Sequence, residues 1–357
     1  MTAETLLGTD ARRPAVAGAA ACLLALLLVL WSPRQALGGW LSAFLFWTSV
    51  PIGALVLVMM MRLIPGKWTE ELAPTAEAAM LLLPLGVAAV LPVLLGMHVL
   101  YDWTQGVEPK GMRAVYLTPW FFVLRTALFW AGCLVLAALL MLRRSWSTPL
   151  SCAGLILFVL AGTTMAVDWL MSLEPDFHSS GYGLYVVSIQ MTIGLAALMV
   201  ARLLAGPVDR PGVLGGLLLT ALLLWAYFSF MQYFIIWSGN LPQGVRWYET
   251  RTGGGWTVLL QALTALHLLP TVLLLFTPVR RSRGWLLVLG LLVLAGKAME
   301  CLWLVLPALG PAGALGFLAA VLGLLGLGLL SAAGAVAAGA MARRLRPVDD
   351  DVREAAS

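Results

Sequence analysis

Charged side chains are scarce in this chain of 357 residues. Aspartate, glutamate, lysine and arginine make up 11% of it, whereas 61% of the residues are hydrophobic and the mean hydropathy is +0.94. A soluble domain, by comparison, has about 25% charged residues. The net charge of +5 does not indicate a nucleic-acid partner, because the cations lie in short segments between apolar runs.

Cysteine and histidine are rare as well. The four cysteines lie in apolar runs without a C-x-x-C spacing, which is typical of small buried side chains and predicts no disulfide, iron–sulfur or zinc site. The three histidines are too few to ligate two haems with histidine pairs, and the G-x-x-x-x-G-K-[ST] motif of a P-loop ATPase is missing. We therefore expect no metal site, no catalytic triad and no cofactor bound by this chain alone.

Long apolar runs are what the chain has instead. Several exceed the ~18–20 residues that cross a bilayer as a helix, and they lack the ~10-residue alternating segments of a β-barrel. The first run is also too long for a cleavable signal peptide. We predict an all-α polytopic membrane protein with about ten transmembrane helices, at 14–31, 37–63, 73–100, 119–142, 149–172, 181–204, 213–238, 255–277, 284–307 and 311–342.

Arginine and lysine predict the orientation of these spans. Of the 22 cations, 15 lie in the terminal segments and the even-numbered connections, and 5 lie in the odd-numbered connections. Because cytoplasmic segments carry the excess of positive charge, both termini (1–13 and 343–357) are predicted to be cytoplasmic, on either side of a single transmembrane domain at 14–342. We expect a multi-pass membrane protein whose odd-numbered connections face outward, into the periplasm if the cell is a Gram-negative bacterium.

The predicted outer rim is rich in ionisable and aromatic groups. The segment VDWLMSLEPDFHSS (167–180) carries Asp168, Glu174, Asp176 and His178. The connections at 101–118 and 239–255 are the longest, and their length favours a docking surface for an extramembrane partner, although an interfacial aromatic belt explains part of their composition. The residues predicted for the rim and for partner docking are Glu174, Asp176, His178, Trp247, Tyr248 and Arg251.

Several polar and ionisable residues lie inside or at the end of predicted spans. A charge at the centre of a span costs ~2.5–3.5 kcal/mol on insertion scales, so each one requires a reason. Lys297 and Glu300 are three residues apart on one helix face near mid-membrane. One interpretation is a set of ion pairs and hydrogen bonds that fix helix packing; the other is a half-channel or pocket open to the outside. The candidates are His98, Arg125, Asp168, Gln232, His267, Lys297 and Glu300.

Three stretches resemble a known family. Residues 168–175 (DWLMSLEP) are similar to the signature after the fifth helix of the ActF-type subunit of bacterial alternative complex III, a ten-helix relative of the NrfD/PsrC membrane proteins. The resemblance continues through FMQYFIIWSGNLPQGVRWYETR (230–251) and through ALHLLP, which contains His267. Together with the helix count, it extends over most of the chain.

The resemblance implies a fold and a function. It implies two four-helix bundles, formed by the second to fifth and the sixth to ninth spans, with the first and tenth spans flanking them. It also implies a subunit without a redox centre in a quinol:cytochrome c oxidoreductase of the respiratory chain, with quinol or quinone as a possible ligand and proton translocation as a further role. The implied partners are an NrfD-like quinol-oxidising membrane subunit, a periplasmic iron–sulfur subunit and c-type cytochrome subunits, which would carry the clusters and haem c.

Two other classes stay open at this stage. Glycine, proline and mid-membrane charges are common in secondary transporters, although paired broken helices are not evident in the two halves of the sequence. A non-catalytic membrane scaffold for partner subunits is the third interpretation.

Overall fold

A computed structural model describes residues 11–105, 111–142, 147–311 and 313–345. Over these residues the protein is helical and contains no strand. Within these ranges, nine helices are long and apolar enough to cross a membrane, and one bent helix pair brings the number to ten if it counts as one span. The prediction of an all-α polytopic membrane protein is therefore confirmed as far as length and composition can show it.

Twelve main helices follow one another in the part of the chain that the structure describes, and four of them begin at a proline, whose missing N–H group is not needed in the first turn. Shorter helical turns connect some of them, at Met97–Leu100, Met112–Tyr116, Met171–Leu173 and Leu306–Leu309. The main helices are α1 (Arg12–Leu27), α2 (Pro33–Leu63), α3 (Lys67–Met80), α4 (Leu83–Leu95), α5 (Pro119–Leu142), α6 (Ser147–Trp169), α7 (Tyr182–Ala205), α8 (Pro211–Gly239), α9 (Pro242–Thr252), α10 (Gly255–Leu275), α11 (Arg283–Val305) and α12 (Ala314–Leu345).

The span predicted at 73–100 is broken. Helices α3 and α4 meet at an angle of 47° around Leu81 and Leu82. Pro84 favours the break, because its nitrogen cannot donate to the carbonyl of Met80 and its ring would crowd that carbonyl in a continuous helix. The helix therefore ends at Met80 and restarts with Pro84 in its first turn.

Helix α2 is the most enclosed helix of the fold. It packs against α3, α6, α7, α11 and α12, and α12 also packs against α1. The closest approach to α7 is at Gly53 and Gly194, where a β-carbon added to either glycine would lie 2.8 Å from the Cα atom of the other. Small residues are what allow helix backbones to approach so closely in membranes.

A second group of helices encloses a common interior. Helix α7 contacts α8 and α11, and α10 contacts the same two helices on the other side. The four helices α7, α8, α10 and α11 therefore form a closed ring, next to α2 and its neighbours. We call the end of this ring at which α7 begins and α8 ends the predicted outer end, following the distribution of arginine and lysine.

The opposite end is held by a buried carboxylate. Glu71, in α3, accepts hydrogen bonds from the backbone N–H groups of Asp209 and Arg210 at 3.1 Å each, and it pairs with Arg202 at 3.0 Å. These contacts fix the connection between α7 and α8 to α3. The neighbouring Glu70 forms only an exposed pair with Arg210.

Candidate functional site: a buried polar cluster at the end of an apolar cavity

Five polar and aromatic side chains meet inside the ring of α7, α8, α10 and α11. Each is less than 10% exposed, and they come from all four helices. The sequence predicted three of them as candidates because they are ionisable residues within apolar runs. The polar cluster consists of Tyr185, Trp225, His267, Lys297 and Glu300.

The carboxylate of Glu300 is the centre of the polar cluster. Its Oε1 atom accepts hydrogen bonds from the hydroxyl of Tyr185 at 2.6 Å and from the indole N–H of Trp225 at 2.9 Å. Its Oε2 atom accepts from the ammonium group of Lys297 at 2.7 Å. The Lys297 nitrogen also lies 3.8 Å from the centre of the Trp225 ring. The carboxylate thus receives three donors, and the ammonium gains a cation–π contact, so each offsets part of the other's desolvation cost.

His267 has one nitrogen without a partner. Its Nδ1 atom lies 2.6 Å from the carbonyl oxygen of Leu263, one turn earlier in α10. Because a carbonyl can only accept, Nδ1 carries the hydrogen, and Nε2 of the neutral ring is then an acceptor. This Nε2 atom is buried without a hydrogen-bond partner, 3.9 Å from Oε2 of Glu300. The ring stacks on Trp225 at a centroid distance of 4.3 Å.

A cavity of about 680 Å³ leads to this cluster. Its deepest polar groups, which we call the cavity floor, are Tyr185, Trp225 and Glu300. Its exposed edge, which we call the cavity mouth, consists of Phe230, Tyr233, Trp237 and Leu268 on α8 and α10. Most of the wall is apolar, as in sites that enclose small organic ligands.

The cavity runs along α8 toward the predicted outer end. Trp225, Ser229, Tyr233 and Trp237 all line it and are four residues apart, so they extend over about 18 Å at 1.5 Å per residue. The exposed fraction rises along this row from 9% at Trp225 to 63% at Trp237. The cavity therefore begins near the middle of the helices and extends toward their predicted outer end, and it is open sideways between α8 and α10, where Phe230 and Leu268 are exposed.

Helix α9 borders the cavity at that end, where the sequence predicted only a long connection. The chain enters α9 through Asn240, which has a left-handed φ of 44°, and leaves it through Gly254, which has a φ of 56°. Between them Pro242 starts the helix. Tyr248 and Thr252 of α9 contribute to the cavity wall.

Arg251 attaches α9 to the rest of the protein. It is 1% exposed and pairs with Glu174 at 2.5 Å, donates to the carbonyl of Leu304 at 3.0 Å, and stacks on Trp247 at 3.9 Å.

The residues predicted for the rim differ in exposure. Trp247 is buried like Arg251, so both side chains contact their own chain, whereas Asp176 and His178 are exposed. Burial raises the pKa of the half-buried Tyr248, which keeps its hydroxyl protonated. Docking of a partner at this rim stays a prediction.

A separate ion pair joins α5 and α6. Arg125 donates to both oxygens of Asp168, at 2.7 and 2.9 Å, and to the carbonyl of Tyr116 at 3.0 Å. The guanidinium also stacks on the rings of Tyr116 and Phe121. Burial and the Asp168 carboxylate raise the pKa of Tyr116. Every strong donor and acceptor of the pair is engaged, which favours the interpretation as a packing element.

Two predicted candidates lie apart from the polar cluster. His98 is exposed on the turn Met97–Leu100. Gln232 is buried in α8 but does not line the cavity. Its Oε1 atom accepts from the hydroxyl of Ser179 at 2.6 Å, and its Nε2 atom has no partner.

Two residues of the polar cluster, Tyr185 and Trp225, were not singled out in the sequence. The available signal was a hydrogen-bonding aromatic residue in the middle of an apolar run, where its polar group needs a partner.

The Arg125–Asp168 pair leads to a prediction of stability. We expect Asp168→Ala to lower the free energy of unfolding by about 3–5 kcal/mol, because the substitution leaves the Arg125 charge buried without a counter-charge. The matched control is Asp102→Ala, which removes the exposed pair with Arg34 and should cost less than about 1 kcal/mol. Unfolding of both variants in detergent micelles by a denaturant titration measures the difference, and equal losses would contradict the expectation.

Two comparisons with known proteins give no match. No protein-family model matches the chain, and a search of curated proteins finds no significant match. In the described part of the chain, no group of three or more His, Cys, Asp or Glu side chains is arranged to hold a metal ion.

Proposed function

We propose that the chain is an integral membrane subunit of a quinol:electron-acceptor oxidoreductase and that it binds a quinol or quinone in the cavity. The observation that supports this most directly is the combination of a largely apolar cavity of about 680 Å³ with a buried carboxylate, a phenol and an indole at its floor. A quinone headgroup is a compact ring with oxygen atoms at opposite ends and an apolar chain. Such a ligand matches polar groups at one end of the cavity and apolar walls along the rest of it.

Proton transfer is the second part of the proposal. Quinol oxidation releases two protons, and Glu300 is the group at the cavity floor that can accept one. His267 Nε2, the unpartnered acceptor 3.9 Å away, is the next group that could receive it. On the other side, Glu249 and Thr252 line the cavity at the predicted outer end. The arrangement supports a half-channel that opens toward the periplasm.

The surroundings of the site support the same assembly. The contacts of α2 with α3 and α6, and the ring of α7, α8, α10 and α11, agree with two four-helix bundles. We propose that the exposed residues Asp176 and His178 lie under a periplasmic iron–sulfur subunit or c-type cytochrome subunits, which carry the redox cofactors. An NrfD-like quinol-oxidising subunit would lie beside the chain in the bacterial inner membrane, with both termini of this chain in the cytoplasm.

A secondary transporter is the competing class, and the bend between α3 and α4 is the observation that favours it. That bend is the only broken pair found in the described residues, and it lies outside the ring of helices that contains the polar cluster. The cavity is therefore not built from broken helices, as the central site of such transporters is. The geometry of the helices around the cavity therefore agrees better with a subunit of an oxidoreductase than with a secondary transporter.

Purification and turnover test the proposal together. An affinity-tagged chain isolated from its own membranes should bring haem c and iron–sulfur absorbance, and the preparation should reduce an added cytochrome c with quinol. We expect Glu300→Gln to lower the turnover per assembled complex, normalised to haem c, at least tenfold; because the substitution also leaves the Lys297 ammonium buried without its counter-charge, the yield of the complex should fall as well. Glu70→Gln, which alters only an exposed ion pair at the opposite end, should keep full activity. Isolation of the chain alone would favour a transporter, and full turnover of Glu300→Gln would favour a scaffold.

A further inference from the structure

The hydrogen-bond donors of the cavity floor already donate to an acceptor within the protein. The Tyr185 hydroxyl and the Trp225 N–H both donate to Oε1 of Glu300. What these groups still offer to a ligand is therefore a carboxylate oxygen and the lone pair of a phenol oxygen. Both are acceptors. No donor on the cavity floor is free.

The threonines of the wall follow the same pattern. The hydroxyls of Thr264 and Thr271 donate to the carbonyls of Leu260 and His267, one turn earlier in α10, at 2.7 Å each. Their oxygen atoms are left as acceptors. The side chains on α8 that have hydroxyl groups, Ser229 and Tyr233, lie one and two turns from Trp225 toward the cavity mouth. Among the described lining residues, the inner part of the cavity is thus an acceptor surface, because the hydroxyls of Tyr185, Thr264 and Thr271 already donate within the protein.

We infer that this cavity selects the reduced, hydroxyl-bearing form of a quinone over the oxidised form. The inference rests on the proposed function for the class of ligand, and on the direction of the hydrogen bonds for the choice of form. A quinol hydroxyl can donate to Glu300 or to the Tyr185 oxygen. A quinone carbonyl has no hydrogen to donate, so its oxygen would face two buried acceptors, and neither side would recover the hydrogen bonds lost from water.

The size of the preference follows from the charge of the acceptor. Hydrogen bonds to charged groups are stronger than those between neutral groups, and a buried site built for a donor rejects an analogue that lacks it. At least a tenfold difference in affinity between the two forms is therefore expected. In the bound state, the hydroxyl of the reduced ligand would therefore be hydrogen-bonded to Glu300, the group that is proposed to accept its proton.

Binding of three matched ligands tests the inference. The probes are a decyl-chain benzoquinone, its chemically reduced quinol, and the dimethyl ether of that quinol, which has nearly the same shape but no donor. Each is titrated anaerobically into the purified full chain in phosphatidylcholine nanodiscs by calorimetry. The quinol should bind at least tenfold more tightly than the other two, and the quinone and the ether should be similar to each other.

Variants separate the possible outcomes. Glu300→Gln should reduce the preference for quinol to less than threefold. Tyr185→Phe should keep the preference, because it frees a lone pair of the Glu300 carboxylate for the quinol hydroxyl. Ser229→Trp, which places a bulky side chain one turn from Trp225 and narrows the way to the cavity floor, gives the level of unspecific partition. If the quinone or the ether binds as tightly as the quinol to the wild-type chain, the selectivity is wrong and the proposed quinone binding survives. If neither form binds above the Ser229→Trp level, both proposals fail.

Discussion

Replacing Lys297 alone with methionine is expected to lower the free energy of unfolding by about 3–5 kcal/mol, since it leaves the fully buried Glu300 without its counter-charge. Lys297 is 0% and Glu300 1% exposed, and their atoms are 2.7 Å apart, so water cannot take over the role of the ammonium without entering the ring of helices. Denaturant titration of the purified chain in micelles measures the loss. Lys67→Met is the control, because Lys67 is an exposed lysine at the start of α3.

The double variant Lys297→Met with Glu300→Gln distinguishes packing from proton transfer. It removes both charges and keeps an oxygen that can accept from Tyr185 and Trp225, so most of the lost stability should return. If the pair carries protons, the assembled double variant should lose the proton movement coupled to turnover in reconstituted vesicles. An unchanged ratio of protons to electrons in this variant would show that the pair only stabilises the fold. A stable Lys297→Met single variant would contradict the pairing itself.

The second large effect is expected at the crossing of α2 and α7. Gly194→Leu should cost about 4 kcal/mol or more, or prevent accumulation of the folded protein, because even a β-carbon would lie 2.8 Å from the Cα atom of Gly53. The two helices can only accommodate the side chain by moving apart, and α2 is packed on its other sides. The amount of folded protein, measured by size-exclusion chromatography in detergent, gives the result.

A glycine with free space around it provides the control for that substitution. Gly132, in the membrane-spanning helix α5, is exposed and has no atom within 4 Å of an added β-carbon. Gly132→Leu should therefore fold and accumulate like the wild-type chain. Accumulation of Gly194→Leu at the level of Gly132→Leu would disprove the close crossing of α2 and α7.

The spans were predictable because the bilayer leaves few alternatives. A chain in hydrocarbon must satisfy its backbone hydrogen bonds internally, so a long apolar run becomes a helix whatever its neighbours are. The break between α3 and α4 was not predictable in the same way. Pro51 and Pro270 lie inside continuous helices, whereas the chain breaks before Pro84. Whether a proline bends a helix depends on what packs beside it, and the local sequence does not contain that information.

The polar cluster was predictable in part for a related reason. Lys297, Glu300 and His267 stand out because charge and imidazole are rare in apolar runs. Tyr185 and Trp225 do not, because the chain has 7 tyrosines and 15 tryptophans and many of these side chains are compatible with the membrane interface. Their role depends on α7, α8 and α11 meeting at one point, which is a property of the packed structure.

The rim shows the opposite kind of difference. The length of 239–255 suggested a docking surface with Trp247 and Arg251 among its residues, whereas α9 directs these two side chains into the protein. An eleven-residue helix between two spans has too few residues for its periodicity to be distinguished from a connection. The charged side chains that α9 leaves exposed are Arg246 and Glu249.

The contacts of Arg251 impose an order on the biogenesis of the protein. During synthesis α9 is made before α11, so Arg251 can reach Glu174 as soon as α9 forms, but its second acceptor, the carbonyl of Leu304, exists only after the next two spans have been made. Until then a guanidinium that will be buried has to remain at the water interface. Helix α9, which borders the cavity at its predicted outer end, is therefore held in place only when α11, the ninth span, has entered the membrane. A nascent chain arrested before Leu304 should expose Arg251 to proteases that the finished protein resists.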